Sequence, residues 1–241
     1  RGSIANDGLP VSMVSNGRGG EQLVIVGGGQ VKVFTLTSNV LSAAVPLPLT
    51  NAPVMAAFCD GYFLLVEANT IRVWFSSIDN GLAWSAFNFF SRSQVSDNIV
   101  GIAVVQNRIW VIGSRTTEVF YDSGDALIPF LPFPGSVTAY GAPSPWAIAV
   151  QGDTVAWLCQ TVVGSTQVVR TSVGTAPTVI STPAISFALA AYTTLADVET
   201  LVYEQEGHAF IAWTFPTGDA TWVYDVREDR WHQRLGWDAT L

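Results

Sequence analysis

The feature that most constrains this chain is a short apolar run that occurs five times, each time directly after a polar turn. The runs begin at Gln22, Tyr62, Arg108, Thr154 and His208, so successive copies are separated by 40, 46, 46 and 54 residues. Similar runs of β-branched and aromatic residues precede and follow each copy, bounded by Gly, Asn, Asp or Pro, and this is the pattern of short strands. The sequence therefore predicts five units of four strands each.

Four-stranded units with a period of about 46 residues are typical of propeller blades. We predict an all-β fold, a five-bladed β-propeller with four antiparallel strands per blade, as a single domain over residues 1–241. The expected blades cover about 8–48, 49–92, 93–138, 139–190 and 191–241. A β-sandwich or a long barrel is the alternative, but neither requires such a period. The best helix candidate is Phe187–Leu195.

The charge and hydropathy of the chain argue against several partners. Its 11 Lys and Arg and 19 Asp and Glu give a formal charge of −8, which opposes tight binding to nucleic acid or to an anionic membrane surface. No apolar run reaches the roughly 18 residues of a membrane span. Because the chain does not begin with Met, we expect it to be a fragment of a longer protein.

Patterns for catalysis and metal binding are weak. The motifs G-x-S-x-G and H-E-x-x-H and a phosphate loop are absent, and Gly27–Gly29 precedes no helix that would complete a phosphate cradle. His208 and His232 are too few ligands for a metal site. Cys59 and Cys159 are expected to be small buried apolar residues, and their disulfide state stays open. We therefore expect no enzyme activity, no metal and no cofactor.

Two carbohydrate functions are alternatives for this chain. A five-bladed glycosidase needs paired carboxylates near the axis, but Asp60, Glu67 and Glu204 lie at strand ends, where solvated turns are expected. A glycan-binding propeller would present some of the nine Trp residues on its surface. The Trp residues that lie within strands are expected in the core instead: Trp74, Trp110, Trp157 and Trp222.

One turn carries a recognisable motif. The residues Ser77, Asp79, Gly81 and Trp84 fit the pattern S-x-D-x-G-x-x-W, which resembles the Asp box of sialidases and other propellers. The motif falls between the third and fourth strands of the second unit, as it does in those families. We expect Asp79 to accept backbone hydrogen bonds within its turn, Gly81 to adopt a positive φ and Trp84 to pack beneath. The predicted role is structural.

Several longer phrases together resemble the packaged-DNA stabilisation, or tail hub, proteins of short-tailed bacteriophages. The matching phrases extend from about Phe63 to Arg234, and the most specific of them lie in the fifth unit. They are Trp74–Trp84, Ile112–Tyr121, Ile180–Thr182, Gly207–His208, Thr214–Thr217, Thr221–Asp225 and Trp231–His232.

This resemblance implies a non-enzymatic virion protein, made in the host bacterial cytoplasm and incorporated into the phage tail. It implies a ring of identical subunits that extends the channel below the portal and helps retain packaged DNA. The expected partners are other tail proteins: the portal adaptor, the tail needle and the tailspike. The alternative is a glycan-binding propeller in phage–host recognition, followed by the glycosidase. The acidic charge agrees with a channel along which DNA slides, because a basic surface would hold the phosphates.

Overall fold

Twenty strands in five antiparallel sheets make up the fold in the computed structural model, counted over the residues that it describes, 2–17, 19–160 and 165–234. The first sheet contains β1 (Ser12–Ser15), β2 (Gln22–Gly27), β3 (Gln30–Thr35) and β4 (Val40–Leu41). The second contains β5 (Pro53–Cys59), β6 (Tyr62–Glu67), β7 (Arg72–Ser77) and β8 (Asn80–Ser91). The third contains β9 (Ile99–Val105), β10 (Arg108–Gly113), β11 (Thr117–Asp122) and β12 (Phe130–Pro132). The fourth contains β13 (Ile148–Gln151), β14 (Thr154–Gln160), β15 (Thr166–Ser172) and β16 (Thr178–Val179). The fifth contains β17 (Glu199–Gln205), β18 (His208–Phe215), β19 (Ala220–Asp225) and β20 (Arg230–Arg234).

Each sheet is a meander whose strands pair in chain order. The first strands of successive sheets contact one another, β1 with β5, β5 with β9, β9 with β13 and β13 with β17. The two ends of this row face the same cavity near the axis, which is lined by Pro10, just before β1, and by Thr200 of β17. The predicted fold class, an all-β five-bladed propeller with four antiparallel strands per blade, is confirmed. The residue limits of the blades and the single domain stay predictions.

Tight turns join the first two strands in three of the sheets. The turns are Asp60-Gly61, Gln106-Asn107 and Glu206-Gly207, and both residues of each have a positive φ. Two such residues define a type I′ turn, whose twist matches that of the flanking strands. The polar residues that mark the repeat in the sequence are therefore the residues that reverse the chain.

Four apolar clusters hold successive sheets together. Val24 and Phe63 belong to the cluster between the first and second sheets, and Phe90 and Phe120 to the one between the second and third. The third and fourth sheets share a cluster containing Trp157. The fourth and fifth share one that also includes residues from the helix α1 (Pro183–Ala190). Because each sheet has apolar residues on both faces, packing against neighbours removes those faces from water.

The helix begins four residues before the predicted start at Phe187, so that prediction was wrong in its limits. Thr182 is the N-cap and its side chain accepts a hydrogen bond from the Ile185 N–H, while Pro183 stands at the first helical position. Both are recognised helix-start signals. Ile185 and Leu189 then pack into the cluster between the fourth and fifth sheets. None of the described helices combines the length and the hydropathy needed to cross a bilayer.

Candidate functional site

The inner strands of the third and fourth sheets pack closely beside the axis of the propeller. A Cβ placed on Gly101 of β9 would lie 2.7 Å from Ile148 Cδ1, 3.3 Å from Pro145 Cα and 3.5 Å from Met55 Sδ. Only glycine allows the inner strands to approach this closely. The neighbouring cavity has a volume of about 170 Å³ and is lined mainly by apolar side chains. The described inner strands therefore leave no passage wide enough for duplex DNA.

The acids near the axis do not form a glycosidase pair. Glu199 lines the axial cavity and Asp7 lines an adjoining one, but both residues are exposed. A glycosidase acid is normally kept protonated by a buried or charged environment. Asp60 and Glu204, the acids that the sequence analysis weighed, are exposed as well. None of these carboxylates has the surroundings of a catalytic acid.

Glu67 differs from the solvated turn residue that was expected, and that expectation was wrong. Its carboxylate is fully buried and accepts hydrogen bonds from Trp74 Nε1 at 2.8 Å and from the backbone N–H groups of Thr50 and Asn51 at 2.7 and 2.9 Å. Three donors compensate a buried carboxylate for its lost hydration. Glu67 therefore fastens the connection before β5 to the second sheet.

The Asp-box residues surround the turn from β7 to β8, against the first sheet. The indole N–H of Trp84 donates to the Gly81 carbonyl at 2.7 Å, and the Gly81 N–H donates to Gln22 Oε1 at 2.7 Å. The positive φ of 52° belongs to Asp79 and not to Gly81, contrary to expectation. A Cβ on Gly81 would lie 2.6 Å from Val24 Cγ2, so this glycine permits contact between sheets.

The remaining motif residues are exposed. Ser77 ends β7, and the Asp79 carboxylate makes no hydrogen bond within the described part of the chain, although the Asp79 carbonyl accepts one from Asn16 Nδ2 at 3.4 Å. The N–H of Asp79 donates to the Gly61 carbonyl at 2.7 Å. The backbone of the turn thus links two blades, and a stabilising role for the four motif residues stays a proposal.

A buried ionic cluster between the second and third sheets was missed by the sequence analysis. Arg92 Nη1 lies 3.2 Å from Asp97 Oδ2, and Arg92 Nε lies 3.7 Å from Glu118 Oε2. Burial raises the pKa of Asp97, but hydrogen bonds from Ser114, Arg115 and Thr116 outweigh it and lower that pKa to about 2. Burial raises the pKa of Glu118, and Arg92 opposes that rise. No local pattern indicated this cluster, because Arg92 and Asp97 lie in the connection between β8 and β9 and meet Glu118 of β11 only in the fold.

Acidic side chains concentrate on one face of the propeller. In a four-stranded meander the first and third turns lie at the same end of the sheet. In the second sheet the Asp79 N–H in the third turn donates to the Gly61 carbonyl in the first. Nearly all the charged side chains described on these turns are acidic. The exposed acids of this acidic face are Glu21, Asp60, Asp79, Asp125, Asp153, Glu206, Glu228 and Asp229. The described basic residues on or beside these turns are Arg108, Arg227 and Arg230.

The histidines lie on the fifth sheet. His208 Nδ1 is 2.7 Å from Asp225 Oδ2, and the His232 ring packs edge-on against Phe210. Across residues 2–17, 19–160 and 165–234 no group of three or more His, Cys, Asp or Glu side chains is placed to hold a metal. The absence of a metal or cofactor in the functional protein stays a prediction.

The cysteines and the strand tryptophans largely follow the sequence analysis. Cys59 and Cys159 are buried free thiols. Burial raises the pKa of Cys59 to about 12 and that of Cys159 to about 11. Trp74, Trp110 and Trp157 are buried, as predicted, and Trp222 is half-buried. These four side chains therefore do not form an exposed row for sugar stacking.

The chain matches the model of a known protein family. Residues 2–239 match the model of a phage-stabilisation family that is described as bacteriophage P22 Gp10, β-propeller. The match covers nearly the whole chain and agrees with the five sheets observed. A search of curated proteins found no significant match.

Proposed function

Because the chain belongs to this phage-stabilisation family of β-propeller proteins, we propose that it is a tail hub or adaptor subunit that extends the channel below the portal and helps retain packaged DNA. The chain is a bacteriophage structural protein of the packaged-DNA stabilisation class. The family match over residues 2–239 is the observation that carries the proposal. Its site of action is the virion tail, after synthesis in the host cytoplasm.

The narrow axis supports a channel formed between subunits and not within one. Gly101 and Ile148 pack closely beside the axis, and the cavity there has a volume of only about 170 Å³. DNA must then pass along the outside of each propeller, so several identical subunits would be arranged in a ring around it. The portal adaptor, the tail needle and the tailspike are the proposed protein neighbours of that ring.

The acidic face supports retention by closure and not by binding. Phosphates are held by Lys and Arg side chains, and the strength of that binding grows with the number of cations. The acidic face instead presents eight exposed carboxylates, so a DNA backbone facing it would be repelled and free to slide. The mechanism is geometric: rigid blades hold neighbouring tail proteins in position while the DNA moves past. No catalytic step is proposed.

The experiment is complementation of a phage that lacks the gene, followed by measurement of the fraction of particles that keep their DNA. The test variant removes three negative charges from the acidic face through Asp153→Asn, Glu206→Gln and Glu228→Gln. The control adds three positive charges on connections at the opposite face through Ala44→Lys, Thr50→Lys and Thr193→Lys. All six residues are exposed, so both variants should fold.

Wild-type protein should restore DNA retention and bind duplex DNA negligibly at physiological salt. The acidic-face variant should retain DNA but eject it more slowly than the control, because both carry the same net charge and differ in where the change lies. Loss of the gene without loss of packaged DNA would contradict the proposed function. Tight DNA binding by the wild-type chain, or measurable glycan hydrolysis, would contradict the mechanism.

A further inference from the structure

A cleft of about 250 Å³ opens between the third and fourth sheets. The third sheet contributes Trp110 and Val119 to its walls, together with Phe133 just beyond β12. The fourth sheet contributes the turn from β15 to β16, including Val173 and Pro177. Small-molecule sites usually begin at about 300 Å³, so this volume suits a single large side chain.

Two other grooves between neighbouring sheets are filled from within the chain. Phe75, Phe90 and Phe130 pack ring against ring between the second and third sheets, with centroids 5.1 to 5.5 Å apart. Helix α1 fills the space between the fourth and fifth sheets. β16 is only two residues long, and no aromatic side chain of the fourth sheet lines the cleft. The cleft is therefore the place where an outside side chain can complete the packing.

Arg108 at the edge of this cleft is a cation without an anionic partner. Its guanidinium carbon lies 5.4 Å from the ring centroids of both Tyr121 and Phe133. Within the described residues the side chain makes no ion pair and donates no hydrogen bond, whereas the buried Arg92 makes both. In a chain of net charge −8, such a guanidinium is a local attraction for a carboxylate.

Thr138 provides a second polar group in the same cleft. Its backbone pairs with Thr117, but its buried hydroxyl oxygen has no hydrogen-bond partner. A buried hydroxyl without a partner is costly, so such a group in a native structure calls for an explanation, and a bound ligand or water is one. The hydroxyl can donate or accept, so it can serve a polar atom that enters with an apolar group.

We propose that this cleft binds a segment of a partner protein that inserts an aromatic side chain beside a carboxylate. The aromatic ring would fill the apolar walls and extend the stacking around Arg108. The carboxylate would pair with the guanidinium. A protein segment is favoured because the volume admits one side chain. The proposal goes beyond the tail-hub function and does not depend on which protein supplies the segment.

The test uses short blocked peptides and the whole chain, with binding followed by ligand-observed NMR. The probes are N-acetyl-Phe-Asp-amide, N-acetyl-Phe-Asn-amide and N-acetyl-Ala-Asp-amide. The second peptide lacks only the negative charge of the first, and the third lacks only the aromatic ring. Binding should be weak and detectable, with the Phe-Asp peptide about two- to fivefold tighter than the Phe-Asn peptide. The Ala-Asp peptide should bind more weakly than both. Glucuronate serves as the non-peptide carboxylate.

Two variants locate the binding. Ala176 is exposed and lines the cleft, so Ala176→Trp should fill it and abolish binding, while Ala44→Trp, on an exposed residue of the first sheet's connection, should not. Arg108→Gln should remove the preference for Asp over Asn and leave a residual affinity for the ring. Binding unaffected by Ala176→Trp, equal affinity for the Asp and Asn peptides, or glucuronate binding as tightly as the Phe-Asp peptide would overturn the proposal.

Discussion

Ten non-glycine residues in the described chain have a positive φ, and all of them are Asp, Asn, Glu or Gln. L-residues pay a steric penalty in this conformation, and Asp and Asn pay the least because their short side chains bond locally. Asp60, Asp79 and Asp229 illustrate this, since each lies in a turn between antiparallel strands. The backbone conformation selects these side chains, and the acidic face follows in part from that selection.

At Asp79 this explanation predicts a result that a hydrogen-bonding role does not. Asp79→Ala should lower the free energy of unfolding by about 1 kcal/mol, because Ala tolerates a φ of 52° less well. Asp79→Gly should be nearly neutral, because glycine adopts this conformation without strain. Urea unfolding of both variants measures the difference. Equal losses would instead assign the stabilisation to the carboxylate, as the Asp-box motif suggests.

Asp97 should stabilise the fold in a pH-dependent way. Its pKa in the fold, about 2, is below the ordinary value of 3.8, so its contribution is complete above pH 4 and is lost as the pH falls towards 2. Asp97→Asn should cost about 3 kcal/mol at pH 7, because it removes the carboxylate that lies closest to the buried Arg92. This loss in the free energy of unfolding should become smaller as the pH falls from about 4 to about 2, which urea unfolding at a series of pH values measures. A deficit independent of pH would contradict this.

Glu118 should show the opposite sign. Burial raises its pKa, so its ionised form costs stability above that raised pKa, and this cost disappears as the pH falls below the ordinary value of 4.5. Glu118→Gln should therefore leave stability unchanged or raise it at pH 7, and the gain should vanish below about pH 4. Urea unfolding over the same pH range measures this gain in stability, with Asp97→Asn measured in parallel. A large loss at pH 7 would show that Arg92 depends on Glu118.

At the scale of elements, the strands were the most predictable part of the molecule. The sequence has an apolar run from Ile99 to Val105, and β9 has the same limits, because a strand that is apolar on both faces is specified by its own residues. The outermost strands were less predictable: β4 and β16 are two residues long, although the runs of apolar and β-branched residues that contain them extend over Val40–Val45 and Thr178–Thr182. An outer strand has one pairing partner, so its apolar residues do not fix where pairing ends.

The candidate site was less predictable than the fold. Local signals placed Trp84 and the turns, but the bonds of Glu67 and of Arg92 depend on residues from separate segments. The cleft beside Arg108 arises from the meeting of two sheets and from the shortness of β16. Neither these bonds nor the cleft leaves a periodic pattern within one segment of the sequence. The strands and turns can therefore be predicted from local sequence, whereas the contacts between separate segments cannot.

The helix start is a local feature whose contribution can be measured. Thr182→Ala should lower the free energy of unfolding by about 1 kcal/mol, because the Ile185 N–H loses its capping acceptor. Thr182→Ser should restore most of the loss, since serine caps equally well. Thermal unfolding of the two variants provides the comparison. An Ala variant as stable as the Ser variant would show that packing alone sets the start of α1.

At the scale of the whole molecule, the axis couples sheets that are distant in sequence. Gly101→Ala should destabilise the protein by about 1–3 kcal/mol, because the added methyl meets Ile148 Cδ1 at 2.7 Å. Ile148→Val removes that methyl group and should recover part of the loss in the double variant. A double-mutant cycle by urea unfolding measures the interaction. Strictly additive effects would show that the inner strands adjust independently.

The meander order of every sheet has a consequence for how the protein is made. Each sheet uses one continuous stretch of chain, and each apolar cluster joins it to the sheet that precedes it. Contacts that are local in the chain form quickly, and domains fold from the N-terminus during synthesis. As the nascent chain leaves the ribosome, each blade after the first therefore meets an apolar face that is already in place. Each newly exposed face is then covered by the blade that is synthesised next, and not by a distant segment.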